Sequence, residues 1–142
     1  MRTWSGLGAF GLLLFATGCG GPAPTPVEGT VVFGNNKKAE NLLIQFHSFG
    51  GKGDEKRSGG SAVTDAAGHY SVTGDNGKAG LPPGDYIVTV FDNNLNTEDE
   101  PGKGKPVPPN RVPLKYLGVN DKTNPLKVTV QTGKTGYDLK LD

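Results

Sequence analysis

Residues 62–91, AVTDAAGHYSVTGDNGKAGLPPGDYIVTVF, predict an all-β protein: an antiparallel β-sandwich of about seven strands. Three observations carry that reading. Within 85–91 apolar side chains recur at every second residue, with Tyr86, Val88 and Val90 on one face and Asp85, Ile87, Thr89 and Phe91 on the other. A period of two belongs to a strand with a buried face. The turn signals Thr64-Asp65-x-x-Gly68 and Pro83-Gly84 interrupt the apolar runs at short intervals, as a hairpin-rich antiparallel sheet requires. After residue 18, no segment keeps helical spacing over three turns.

The elements follow in order. A first strand is predicted over 29–33 and closes at the turn signal Gly34-Asn35-Asn36. A second covers 42–48, with Leu42, Ile44 and Phe46 on one face and Leu43, Gln45 and His47 on the other. Residues 49–60 form a glycine-rich, charged connection without periodicity. Two paired strands flank Asp65 and Gly68, with Tyr70 and Val72 inward. The Asp65 carboxylate is suited to accept backbone N–H groups of the turn, and Gly68 to a positive φ. The chain then turns at Leu81-Pro82-Pro83-Gly84-Asp85 into the best-patterned strand, which puts Tyr86 where a tyrosine corner places its ring in the core and its hydroxyl on the turn backbone. From 92 to 113 the pattern stops, and a loop of this length in a compact domain is usually either functional or mobile. A short edge strand is expected over 111–116, with pairing on one side only because of Pro113. The chain ends in strands over 126–131 and 137–141, the second alternating Tyr137, Leu139 and Leu141 with Asp138 and Lys140. Strand number and size match an immunoglobulin-like sandwich.

A chain of 142 residues makes one domain. The 23 Gly and 11 Pro punctuate apolar runs and do not fill a low-complexity tract, which favours turns over disorder. A net charge of +1 gives no electrostatic footprint for nucleic acid or for an anionic lipid surface.

The N-terminus has its own chemistry. Arg2 precedes the apolar run LGAFGLLLFA at 7–16, and small residues lead to Cys19, the only cysteine. These are the parts of a secretory signal, and the run is shorter than the roughly 20 residues of a permanent membrane helix. Ala16-Thr17-Gly18-Cys19 resembles the lipobox of bacterial lipoproteins, with Ala16 where leucine is more typical. The resemblance implies that residues 1–18 are removed and Cys19 is acylated as the mature N-terminus. An ordinary signal ending after Ala16 or Gly18 is the alternative, and it leaves a lone thiol in an exported protein. Residues 19–26, rich in Gly and Pro, read as a linker, and 27–142 as the sandwich domain.

Few residues suggest chemistry. His47 and His69 share no metal-ligand spacing, and zinc needs three or four convergent ligands. They read as an outer-face strand residue and a turn residue. The acidic run Glu98-Asp99-Glu100, with Asp92 nearby, lacks the spacing of a calcium loop and reads as a solvated loop. No serine lies in Gly-x-Ser-x-Gly, and 50–53 lacks the P-loop spacing. No catalytic, metal or cofactor-binding residue is nominated.

Val31-Val32-Phe33, Thr64-Asp65-x-x-Gly68-x-Tyr70 and Leu81-Pro82-Pro83-Gly84-Asp85-Tyr86-Ile87-Val88, with Val112-Pro113-Leu114-Lys115-Tyr116 and Asn124-Pro125-Leu126 later, resemble the carboxypeptidase regulatory-like (transthyretin-like) domains of small bacterial envelope lipoproteins. The resemblance spans roughly 27–141. It implies a β-sandwich without catalytic residues, so none is carried over, and fold analogy supplies no activity. The expected function is therefore a non-catalytic, membrane-tethered envelope module. It would be held by lipid on Cys19, at the outer membrane facing the periplasm or at the cell surface, and would bind a protein or glycan or stiffen the surface layer. A periplasmic carrier or sensor of a small ligand, held between the sheets, or of a glycan is the alternative, and an enzyme the third reading.

Overall fold

In the computed structural model the described residues are 22–49, 59–95, 109–120 and 122–142. They form two facing sheets with eight strands: β1 (Glu28–Phe33), β2 (Leu42–Ser48), β3 (Gly59–Val63), β4 (His69–Ser71), β5 (Thr73–Gly74), β6 (Gly84–Asp92), β7 (Lys127–Val130) and β8 (Leu139–Leu141). One sheet has the order β4-β1-β8 and the other β5-β3-β2-β6-β7. This is an all-β sandwich.

The alternation in the sequence becomes the core. Leu42, Ile44 and Phe46 of β2, Tyr86, Val88 and Val90 of β6, and Leu139 and Leu141 of β8 all turn inward and are buried. Phe46 lies between the sheets, 6.2 Å from the Tyr70 ring of β4 and 6.2 Å, edge to face, from Tyr86. Aromatic pairs at such distances add to the apolar area they bury. The outward face of β6 is shielded too: Ile87 and Thr89 are buried, and the Thr89 hydroxyl lies 2.9 Å from His47 Nε2. A strand between β2 and β7 is covered on its edges, and here its middle is covered on both faces.

Three sequence expectations are corrected. The strands flanking Asp65 and Gly68 do not pair with each other. β3 pairs with β2 and β5, β4 pairs with β1, and the turn carries the chain from one sheet to the other. A turn signature fixes a reversal, not the sheet in which the chain lands. Second, pairing is not wholly antiparallel: β8 lies parallel to β1, Val31 opposite Leu139 and Phe33 opposite Leu141. Strands so far apart in sequence have ample chain for a crossover. Third, 111–116 holds no strand. Pro113, at φ −59°, leads into a 3-10 turn over Leu114–Tyr116, because proline fixes φ and removes a ladder donor. The turn tucks Tyr116 into the core, where its hydroxyl accepts the Asp142 N–H at 2.9 Å.

Candidate functional site

The Asp65–Gly68 turn is built by one carboxylate. Asp65 Oδ1 accepts the N–H groups of Ala67 at 2.8 Å and His69 at 2.9 Å. Gly68 has φ +79°, and a Cβ there would meet the Val31 carbonyl oxygen at 2.7 Å, so glycine is required on both counts. The His69 N–H above all, then that of Ala67 and the charges of His69 and Lys38, hold the Asp65 carboxyl below the usual carboxylate range. Its other oxygen stands 3.8 Å from His69 Nδ1.

Asp65, His69 and Ser71 share an open groove of about 580 Å³ along β1 and β4, with Glu28, Thr30 and Val63. Glu28 faces Ser71 and Thr30 faces His69 across the β1–β4 pair, so this is the outward face of the three-stranded sheet. No spacing in the sequence groups this Asp, His and Ser. Asp65 and His69 are 3.8 Å apart, beyond hydrogen-bond length, and the carboxylate is held by the turn. The groove offers hydroxyl and carboxylate groups for hydrogen bonding. Among the described residues, no group of three or more His, Cys, Asp or Glu is placed to hold a metal ion.

At the turn into β6, Gly84 has φ +155°, and the buried Tyr86 donates its hydroxyl to the Pro82 carbonyl at 2.8 Å. On the outward face, burial lowers the pKa of His47, partly offset by the Asp75 carboxylate.

Asp92, which the sequence places beside a solvated acidic loop, is instead the last residue of β6 and the buried half of an ion pair. Asp92 is buried, and Arg111 grips it with Nε at 2.8 Å from Oδ2 and a terminal nitrogen at 2.7 Å from Oδ1. That terminal nitrogen also donates to the Glu40 carbonyl at 3.0 Å. The Arg111 hydrogen bonds push the Asp92 pKa down, helped by the N–H groups of Arg111 and Asn94. A signal for it did exist. Asp92 continues the inward parity of Tyr86, Val88 and Val90, and an acid at a core position needs a cation. Asp92 thus belongs to the framework, and Arg111 locks the far end of the long loop to the strand where that loop begins. Asn124 does similar work, donating to the carbonyls of Val88 at 2.9 Å and Gly118 at 2.8 Å.

Cys19, the segment before it and Glu98-Asp99-Glu100 lie outside the described residues. Among the described residues, no helix is long and apolar enough to cross a membrane. Comparison with protein-family models, with curated proteins and with solved structures gave no match.

Proposed function

We propose that this chain is a non-catalytic bacterial envelope lipoprotein, held at the membrane by lipid on Cys19, whose β-sandwich has a binding or structural role. The observation that carries the reading is the join between tether and fold. Cys19 follows the apolar run at 7–16, and by Thr25 the chain is already fixed in the sandwich by two backbone bonds to Leu81, at 2.8 and 2.9 Å. Among the described residues, three groups capable of chemistry are used to build the fold: Asp65 by its turn, Asp92 by Arg111, His47 by Thr89. That supports a module and not an enzyme, with an envelope protein or glycan as its partner. The groove along β1 and β4 favours one second reading, a carrier of a small hydrophilic ligand or glycan bound on the outer surface.

Metabolic labelling with palmitate tests the anchor. Two acyl chains hold a protein stably at a bilayer, and one does so only marginally. The wild-type protein is expected to take up label and stay with membranes through a carbonate wash, and Cys19→Ala to lose both properties. A Cys19→Ala protein that is processed and retained like wild type overturns the reading.

A further inference from the structure

The tether and the sandwich have lengths that can be compared. From Cys19 to Thr25 the chain spans at most about 20–22 Å fully extended, and about 19 Å in the extended form that prolines favour. At Thr25 it enters one end of the sandwich, beside Leu81 and hence beside the start of β6. β1 and β6 both run away from that end. β6, with its nine residues, covers roughly 27 Å before reaching Asp92.

We propose that, once Cys19 is acylated, the end of the sandwich carrying Thr25, Lys78, Pro82, Pro83 and Lys134 rests on the phospholipid headgroups. The opposite end, with Lys37, the Asp65–Gly68 turn and Arg111, is then presented away from the bilayer. This rests on the lipoprotein reading and adds to it the surface that meets the membrane. With the far end on the headgroups, Thr25 would stand roughly 27 Å above them, farther than the tether reaches. Charge does not make the choice, because among the described residues the exposed Lys78 and Lys134 at the near end stand with the exposed acids Glu28, Asp75 and Asp85. The short tether does.

The test uses the full acylated protein, in which the thiol of Cys19 is consumed and a single introduced cysteine takes a fluorophore. Lys78→Cys and Lys37→Cys mark the two ends at exposed positions. Each protein is reconstituted into phosphatidylethanolamine–phosphatidylglycerol vesicles bearing a short-range nitroxide quencher on the headgroup. Quenching is expected to be several-fold stronger at Lys78→Cys. Equal or reversed quenching, with both proteins floating with the vesicles, overturns the orientation and leaves the anchor intact. Failure to float overturns both. Inserting about 20 Gly and Ser residues after Cys19, with a root-mean-square span of about 25 Å, should erase the difference. A difference that survives the insertion shows that tether length is not its cause.

Discussion

Tyr86 makes two separable contributions, a ring packed edge to face on Phe46 and a hydroxyl on the Pro82 carbonyl. Tyr86→Phe removes the second and is expected to cost about 0.5–1.5 kcal/mol. Tyr86→Ala removes both and leaves a cavity at a site 1% exposed, for about 3–5 kcal/mol. Urea denaturation measures the two, and an Ala variant within about 1 kcal/mol of wild type would show that the ring is not the anchor of this corner. The Asp92–Arg111 pair makes a different prediction, because only its acid is fully buried: the side chains are 2% and 32% exposed. Arg111→Ala should cost more than the ~1 kcal/mol of an exposed pair and less than the ~3–5 kcal/mol of a fully buried one. Asp92→Asn combined with Arg111→Ala should recover part of that loss, since it leaves no unpaired charge in the core. The pH dependence has a definite sign. The folded pKa of Asp92 is lowered, chiefly by Arg111. Its contribution is therefore complete above the ordinary aspartate value of about 3.9 and is lost as pH falls through the lower folded value. Urea midpoints measured in acid should show wild type and Asp92→Asn converging as pH drops.

Among the elements, β1 is held closely on both sides. It pairs with β4 on one side and β8 on the other, and Gly29 passes so close to Tyr137 that a Cβ would clash with its carbonyl oxygen. Tyr70, opposite Gly29 in the register, donates its hydroxyl to that same carbonyl. Its burial, with Asp138 and Tyr137 nearby, pushes the phenol pKa up. Gly29→Ala should overpack this contact at a cost of about 1–3 kcal/mol. Gly136→Ala, where a Cβ meets nothing within 4 Å, should stay within about 0.5 kcal/mol of wild type by the same denaturation assay. Equal effects would mean that the close approach at Gly29 is readily relieved. The elements also show what patterning conveys. β2 was legible to the residue because its alternation is strict and its ends are marked. The partners of β3 and β4 were not, since side-chain period says nothing about which sheet a strand joins. The groove was hidden for the same reason: Glu28 and Ser71 become neighbours only through the β1–β4 register. The turn over Leu114–Tyr116 was misread because its apolar residues are too few to separate strand from turn.

For the molecule as a whole, the Asp92–Arg111 pair divides framework from loop. Replacing 96–108 with a short Gly-Ser link, while keeping 92–95 and 109–113, should leave the melting temperature within about 4 °C of wild type, because loop-closure entropy varies slowly with length. A larger fall would show that the excised residues support the sandwich. The parallel β1–β8 pair has a mechanical consequence. Under the lipoprotein proposal, pull from Cys19 arrives at the start of β1, and β8 carries the chain past Phe33 toward the other end of the molecule. Tension between the two termini therefore acts along both strands in opposite directions. It must shear the β1–β8 hydrogen bonds together and cannot peel them one at a time, so β1 is the part of the sandwich best placed to resist being pulled out.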